Sequence, residues 1–127
     1  MLYTIESKKP LAEIERGLEE AAARHKFGIL TVHDLRATMN KKGVAFDRDC
    51  RIFEVCNPVQ AKKVLEANGA VSTALPCRIS VYESPGGHTL ATLLPTALMK
   101  MFGTPELEPV AQEVETVIQA MMQEAAA

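Results

Sequence analysis

Residues 77–94 constrain the fold more than any other segment of the chain. Cys77-Arg78-Ile79-Ser80-Val81-Tyr82-Glu83 alternates apolar and polar residues, Ser84-Pro85-Gly86-Gly87 carries turn chemistry, and His88 to Leu94 is again strand-like. Alternation with a period of two places one set of side chains on each face of a strand. A turn this short returns the chain beside itself, so the two strands pair antiparallel and the fold must contain an antiparallel sheet.

The remaining elements are assigned around that hairpin. Residues 2–6 read as a strand, and Pro10 suits the first turn of a helix whose stripe is Leu11, Ile14, Leu18 and Ala21 or Ala22. Phe27-Gly28-Ile29-Leu30-Thr31-Val32 reads as a second strand, with Ile29, Thr31 and His33 on one side and Leu30, Val32 and Asp34 on the other. Asp34 can cap a short helix that stops between Asn40 and Gly43. Arg51 to Cys56 is a third strand, and Asn57-Pro58 after it is a helix-start signal, with Asn as cap and Pro in the first helical position. That helix runs to Asn68-Gly69, and Ala70 to Leu75 connects it to the hairpin. Thr104-Pro105 opens a last helix with the stripe Leu107, Val110, Ala111, Val114, Val117 or Ile118, and Met121. The expected fold class is α+β: one antiparallel β-sheet with helices packed on one face, in a single domain over residues 1–127. The other face is left to solvent or a partner. The apolar character of both sides of the second strand favours a partner, and a homodimer is expected.

Composition narrows the function classes. A formal charge of −2 gives no electrostatic reason to bind nucleic acid, and the pairs Lys8-Lys9, Lys41-Lys42 and Lys62-Lys63 are scattered. No apolar run approaches the ~20 residues that span a bilayer, and the N-terminus has no basic region followed by an apolar stretch. A cytoplasmic location without membrane partners is expected. Cys50, Cys56 and Cys77 are an odd number without Cys-x-x-Cys spacing, which disfavours a disulfide framework.

Cys56 is the leading candidate for chemistry, because it ends a strand directly before the Asn57-Pro58 cap, where the positive end of a helix stabilises a thiolate. The competing reading is a buried cysteine packing as a small hydrophobe. Cys77 lines up with Ile79 and Val81 on an apolar strand face, and core packing is its default. If the strands that carry Cys56 and Cys77 are neighbours, the two thiols can approach each other. Cys50, beside Asp47, Arg48 and Asp49, is left out of the site. His33 beside Asp34 could serve acid/base work or metal support, against the simpler reading of a helix cap and a solvated histidine. His25 and His88 read as surface residues, and no ligand pair has the spacing of a zinc site. There is no Gly-rich phosphate loop, nucleophile elbow or His-Glu-x-x-His motif.

Phe27-Gly28-Ile29-Leu30-Thr31, then Asp34, Ala37-Thr38 and Met39, then Cys56-Asn57-Pro58, and finally Leu75-Pro76-Cys77 form an ordered set of elements across nearly the whole chain. This set resembles the family called domain of unknown function 302. The resemblance implies an antiparallel sheet like that of the TATA-binding protein repeat, helices on one face, and a tendency to dimerise. It implies no assigned activity, and likeness of fold is no argument for DNA binding. The residues it marks fall on Asp34, Thr38, Cys56, Asn57, Pro58, Pro76 and Cys77. The sequence departs from the pattern at Glu54, whose carboxylate is expected to raise the Cys56 thiol pKa if close.

Two hypotheses follow from these residues. The first is a homodimeric binding or carrier module that holds a small ligand, metal, haem or sulfur species near His33, Asp34, Thr38, Cys56, Asn57 and Cys77. The second is a thiol-dependent redox or sulfur-transfer enzyme with Cys56 as nucleophile and Cys77 as resolving thiol. A purely structural or regulatory dimer is the plainest alternative. No cofactor is identified by the sequence.

Overall fold

The computed structural model describes residues 1–127. Five strands form one sheet: β1 (Leu2–Ser7), β2 (Gly28–Asp34), β3 (Cys50–Cys56), β4 (Cys77–Ser84) and β5 (Gly87–Leu93), in the order β1-β5-β4-β3-β2. All four pairings are antiparallel. The hairpin is β4–β5, and its turn depends on glycine twice. Gly86 has φ +81°, and a Cβ on Gly87 would lie 2.1 Å from the carbonyl oxygen of Ser7. The end of β1 therefore rests directly on the hairpin.

The helices are α1 (Leu11–Arg24), α2 (Leu35–Lys41), α3 (Pro58–Ala67), α4 (Pro95–Lys100) and α5 (Leu107–Ala126), with a 3-10 turn over Gly69–Ala74. Ile14 and Leu18 of α1 and Ile118, Met121 and Met122 of α5 are fully buried against Phe53, Val55, Ile79, Val81 and Leu90 of the central strands. The stripe predicted for α1 meets the sheet, as does the C-terminal half of the stripe predicted for α5. A smaller core of Val64, Val71, Met99, Leu107 and Ala111 joins α3, the 3-10 turn, α4 and α5 at one end of the sheet. The result is an α+β fold with helices packed on an antiparallel sheet.

Three sequence expectations are corrected. In β2 the register skips a residue: Ile29 pairs with Val55 but Thr31 pairs with Glu54. Leu30 bulges, so Val32 and Asp34, opposite Phe53 and Arg51, share the face of Ile29. The last helix opens at Leu107 rather than at Thr104-Pro105, whose carbonyls instead accept from the Leu107 and Glu108 amides in a preceding turn. His88 is buried, not on the surface. Its Nδ1 lies 3.0 Å from the Lys9 carbonyl and its Nε2 3.0 Å from Asp49 Oδ2. Both partners are acceptors, so a ring nitrogen that carries a proton donates to the one it faces. These contacts clamp the loop before β3 and the connection from β1 to α1 onto the hairpin.

Candidate functional site

An apolar pocket of about 40 Å³ opens where β3 ends and β4 begins. Val55 and Cys77 lie opposite each other in the β3–β4 ladder and contribute its sheet side, with Phe27 just before β2. Ala61 and Val64 of α3, Val110 and Val114 of α5, and Met99 of α4 close it from the helical side. Eleven of its fifteen lining residues are hydrophobic. Cys56, Asn57, Gln60, Pro76 and Cys77 are also at its wall.

Local sequence explains why this corner forms. Asn57 Oδ1 accepts from the amides of Val59 at 3.0 Å and Gln60 at 3.2 Å, while Pro58 fills a first-turn position that needs no N–H. The cap turns the chain sharply from β3 into α3, leaving Cys56 at the corner. It also uses the helix N-terminus, because the Asn57 oxygen already occupies the exposed amides that would otherwise favour an anion.

The thiols behave accordingly. Burial pushes the Cys56 thiol above its ordinary pKa. Burial, with a further contribution from the nearby Cys56 charge, pushes Cys77 up to about 11. Burial disfavours the thiolate at both positions. All three cysteines are free. Cys77 is in register with Val55, so Cys56 is one residue out of phase with it, and strand alternation aims their side chains toward opposite faces. Cys50 begins β3, and its thiol is raised by burial and by the Asp34 charge.

Glu54 does not act on Cys56 as expected. Its Oε1 lies 2.8 Å from His33 Nε2 across the β2–β3 pair, and burial alone accounts for the Cys56 shift.

The structure brings Cys56, Asn57 and Cys77 to one pocket, and it does not bring His33, Asp34 or Thr38 there. Asp34 pairs with Arg51, five residues before Cys56 along β3, a separation of roughly 17 Å at strand rise. Its Oδ1 caps α2 by accepting from the Ala37 amide at 3.0 Å, and its Oδ2 is 3.5 Å from Arg51 Nε. Thr38 is exposed on α2. His33 engages Glu54 rather than Asp34. No group of three or more His, Cys, Asp or Glu side chains is arranged to hold a metal ion, and no helix is long and apolar enough to cross a membrane.

Sequence reasoning missed Gln60 and His25. Gln60 is the first-turn residue of α3 that receives the Asn57 cap, and its own amide reaches Glu113 of α5. His25, just after α1, lies 2.7 Å from Glu124 Oε2 and lines a broader cleft outside the pocket. The His25 and Arg24 hydrogen bonds hold the Glu124 carboxyl below the usual range. Neither residue sits in a recognisable motif, because each depends on a partner on α5 that is far away in sequence.

No curated protein matches the chain. Among solved structures, an uncharacterised conserved DUF302 protein from Bacillus stearothermophilus is similar at 31% sequence identity with a TM-score of 0.92, covering 98% of this chain and 97% of that one. The family model described as "Domain of unknown function DUF302" matches residues 3–125. With the Cys56-Asn57-Pro58 and Pro76-Cys77 elements meeting at one pocket, and with this match across nearly its whole length, the chain belongs to the DUF302 family.

Proposed function

We propose that this chain is a homodimeric binding or carrier module whose small-molecule site is the pocket bounded by Cys56, Asn57 and Cys77. The observation that carries the reading is the apolar pocket of about 40 Å³ with Cys77 in its wall and Cys56 at its rim, both thiols being held toward their neutral form. Neutral thiols in an apolar wall supply soft, weakly polar contacts, which suit binding better than nucleophilic attack. His33, Asp34 and Thr38 lie outside this site, so no acid/base residue from that group serves Cys56.

The dimer is supported by the uncovered face of the sheet. The row His33, Ile52, Ser80, Ala91 and Thr4 crosses all five strands on that face with mostly small or uncharged side chains. Glu54 stands opposite Arg78 in the ladder, so the charges there oppose in sign. A second copy can approach such a face without like-charge repulsion.

Native mass spectrometry after aerobic and after anaerobic purification tests the binding reading. A mass increment that is present in the native spectrum and absent from the denatured one is expected, and the bare mass from both preparations would overturn it. The thiol-enzyme reading predicts the opposite reactivity. Alkylation of Cys56 by iodoacetamide at pH 7 is expected to be no faster than that of a free thiol, and a rate many-fold faster would favour catalysis.

A further inference from the structure

The one buried side-chain nitrogen or oxygen without a hydrogen-bond partner in this protein is Gln60 Oε1, and Gln60 is a wall of the pocket. Its Nε2 donates to Glu113 Oε2 at 2.8 Å. A carboxylate can only accept there, so this bond fixes which end of the amide is nitrogen and leaves the oxygen as the orphan. Asn57, the other amide at the pocket, has its oxygen engaged twice by the α3 cap. Gln60 Oε1 is therefore the free side-chain amide acceptor of an otherwise apolar site. A lone water beside it would find few of the further polar partners that hold buried water in place.

Gln60 also stands between two spaces. Together with Asn57 and Val110 it lines both the inner pocket and the broader, more polar cleft outside, where Lys63, Glu113 and Thr116 are found. The inner volume of about 40 Å³ is room for roughly three waters or an equally small group. That is too little for a large cofactor and enough for the tip of a smaller molecule.

We propose that the ligand of this site is an amphipathic small molecule: an apolar tip of a few heavy atoms enters the pocket beside Cys77, and an N–H or O–H group directly behind the tip donates to Gln60 Oε1, which a rotation of the Gln60 side chain brings from its enclosed position to the pocket. The more polar remainder of the molecule occupies the outer cleft. This assignment rests on the pocket being the binding site and adds the chemical class of what binds.

A matched pair of probes tests it. 1-Butanol and methyl propyl ether have the same heavy-atom count, but only the alcohol can donate. Each is titrated into the full chain and followed by backbone amide shifts of Ala61, Cys77 and Val114. The alcohol is expected to bind about fivefold more tightly, the worth of one neutral hydrogen bond to an otherwise unpaired acceptor. Gln60→Met, which keeps length and helix propensity, is expected to bring the two affinities within about twofold of each other. Equal affinities in the wild-type protein overturn the donor assignment and leave the pocket standing as a binding site. Absence of shifts at the pocket with both probes overturns the binding reading as well. If Gln60→Met does not fold, the wild-type comparison decides alone.

Discussion

At the scale of single residues, hydrogen bonding and burial shift two titratable groups in opposite directions. The His88 hydrogen bond, helped by Arg36, holds the Asp49 carboxyl below its ordinary range even though partial burial opposes it. A carboxylate depressed in the folded state stabilises the fold above its unfolded pKa, and that contribution is lost as pH falls through the folded value. Asp49→Asn should therefore be less stable than wild type at pH 7, and the gap should narrow below about pH 3.8, as read by urea unfolding at pH 7 and pH 3. A gap that stays constant with pH would show that Asp49 contributes through shape alone. Cys77 works at the other end of the scale. Its thiol is raised from 9.0 to about 11, so the folded state keeps a proton that the unfolded chain has released. Stability is then fully present below pH 9 and declines as pH rises through 11, a loss on the order of 2–3 kcal/mol. Cys77→Ala should flatten that alkaline decline in thermal melts, whatever it does to stability at neutral pH.

At the scale of elements, the corner from β3 into α3 is the clearest case of sequence dictating structure. Asn57→Ala removes an oxygen that accepts from two amides and should destabilise the fold by about 1 kcal/mol. Circular dichroism melts of the variant and of Asn57→Asp, which preserves the cap, would separate loss of capping from loss of an amide. This corner was legible because all its parts lie within four residues. The β4–β5 hairpin and the stripes of α1 and α5 were legible for the same reason, since their periodicity is local. The β2 bulge was not, because Leu30 becomes an extra residue only when β3 sets the register beside it. The place of His88 beside a turn predicts exposure, yet the residue is buried, with Asp49, 39 residues earlier, as a partner. The candidate site divides along the same line. Cys56 and Asn57 are neighbours in the chain, and the β3–β4 ladder adds Cys77. Gln60 gains its meaning only from Glu113, 53 residues on.

At the scale of the whole molecule, the helices cover one face of the sheet and the proposed second copy covers the other. The middle of the uncovered face holds Ala91 and Thr89, both already nearly enclosed by the strands beside them, and half-buried Ser80 next to Ala91. A partner sheet meeting this surface around a two-fold axis would bring each central side chain close to its own copy or a near neighbour. A charge introduced there is then repeated across the interface, and two buried like charges oppose association strongly. In the monomer a long arginine side chain lies along its strand neighbours with its guanidinium in solvent, so folding should be little affected. Ser80→Arg is thus expected to convert a dimer into a monomer in sedimentation velocity while its far-ultraviolet circular dichroism and thermal midpoint stay close to wild type. The pocket lies at the end of the sheet under α3, α4 and α5, away from this surface. The monomeric variant should accordingly keep the native mass increment of the wild-type protein. Loss of the increment together with the dimer would mean that the binding site is completed by the second copy, whereas a wild-type protein that sediments as a monomer would remove the dimer from the proposed function and leave the pocket to act alone.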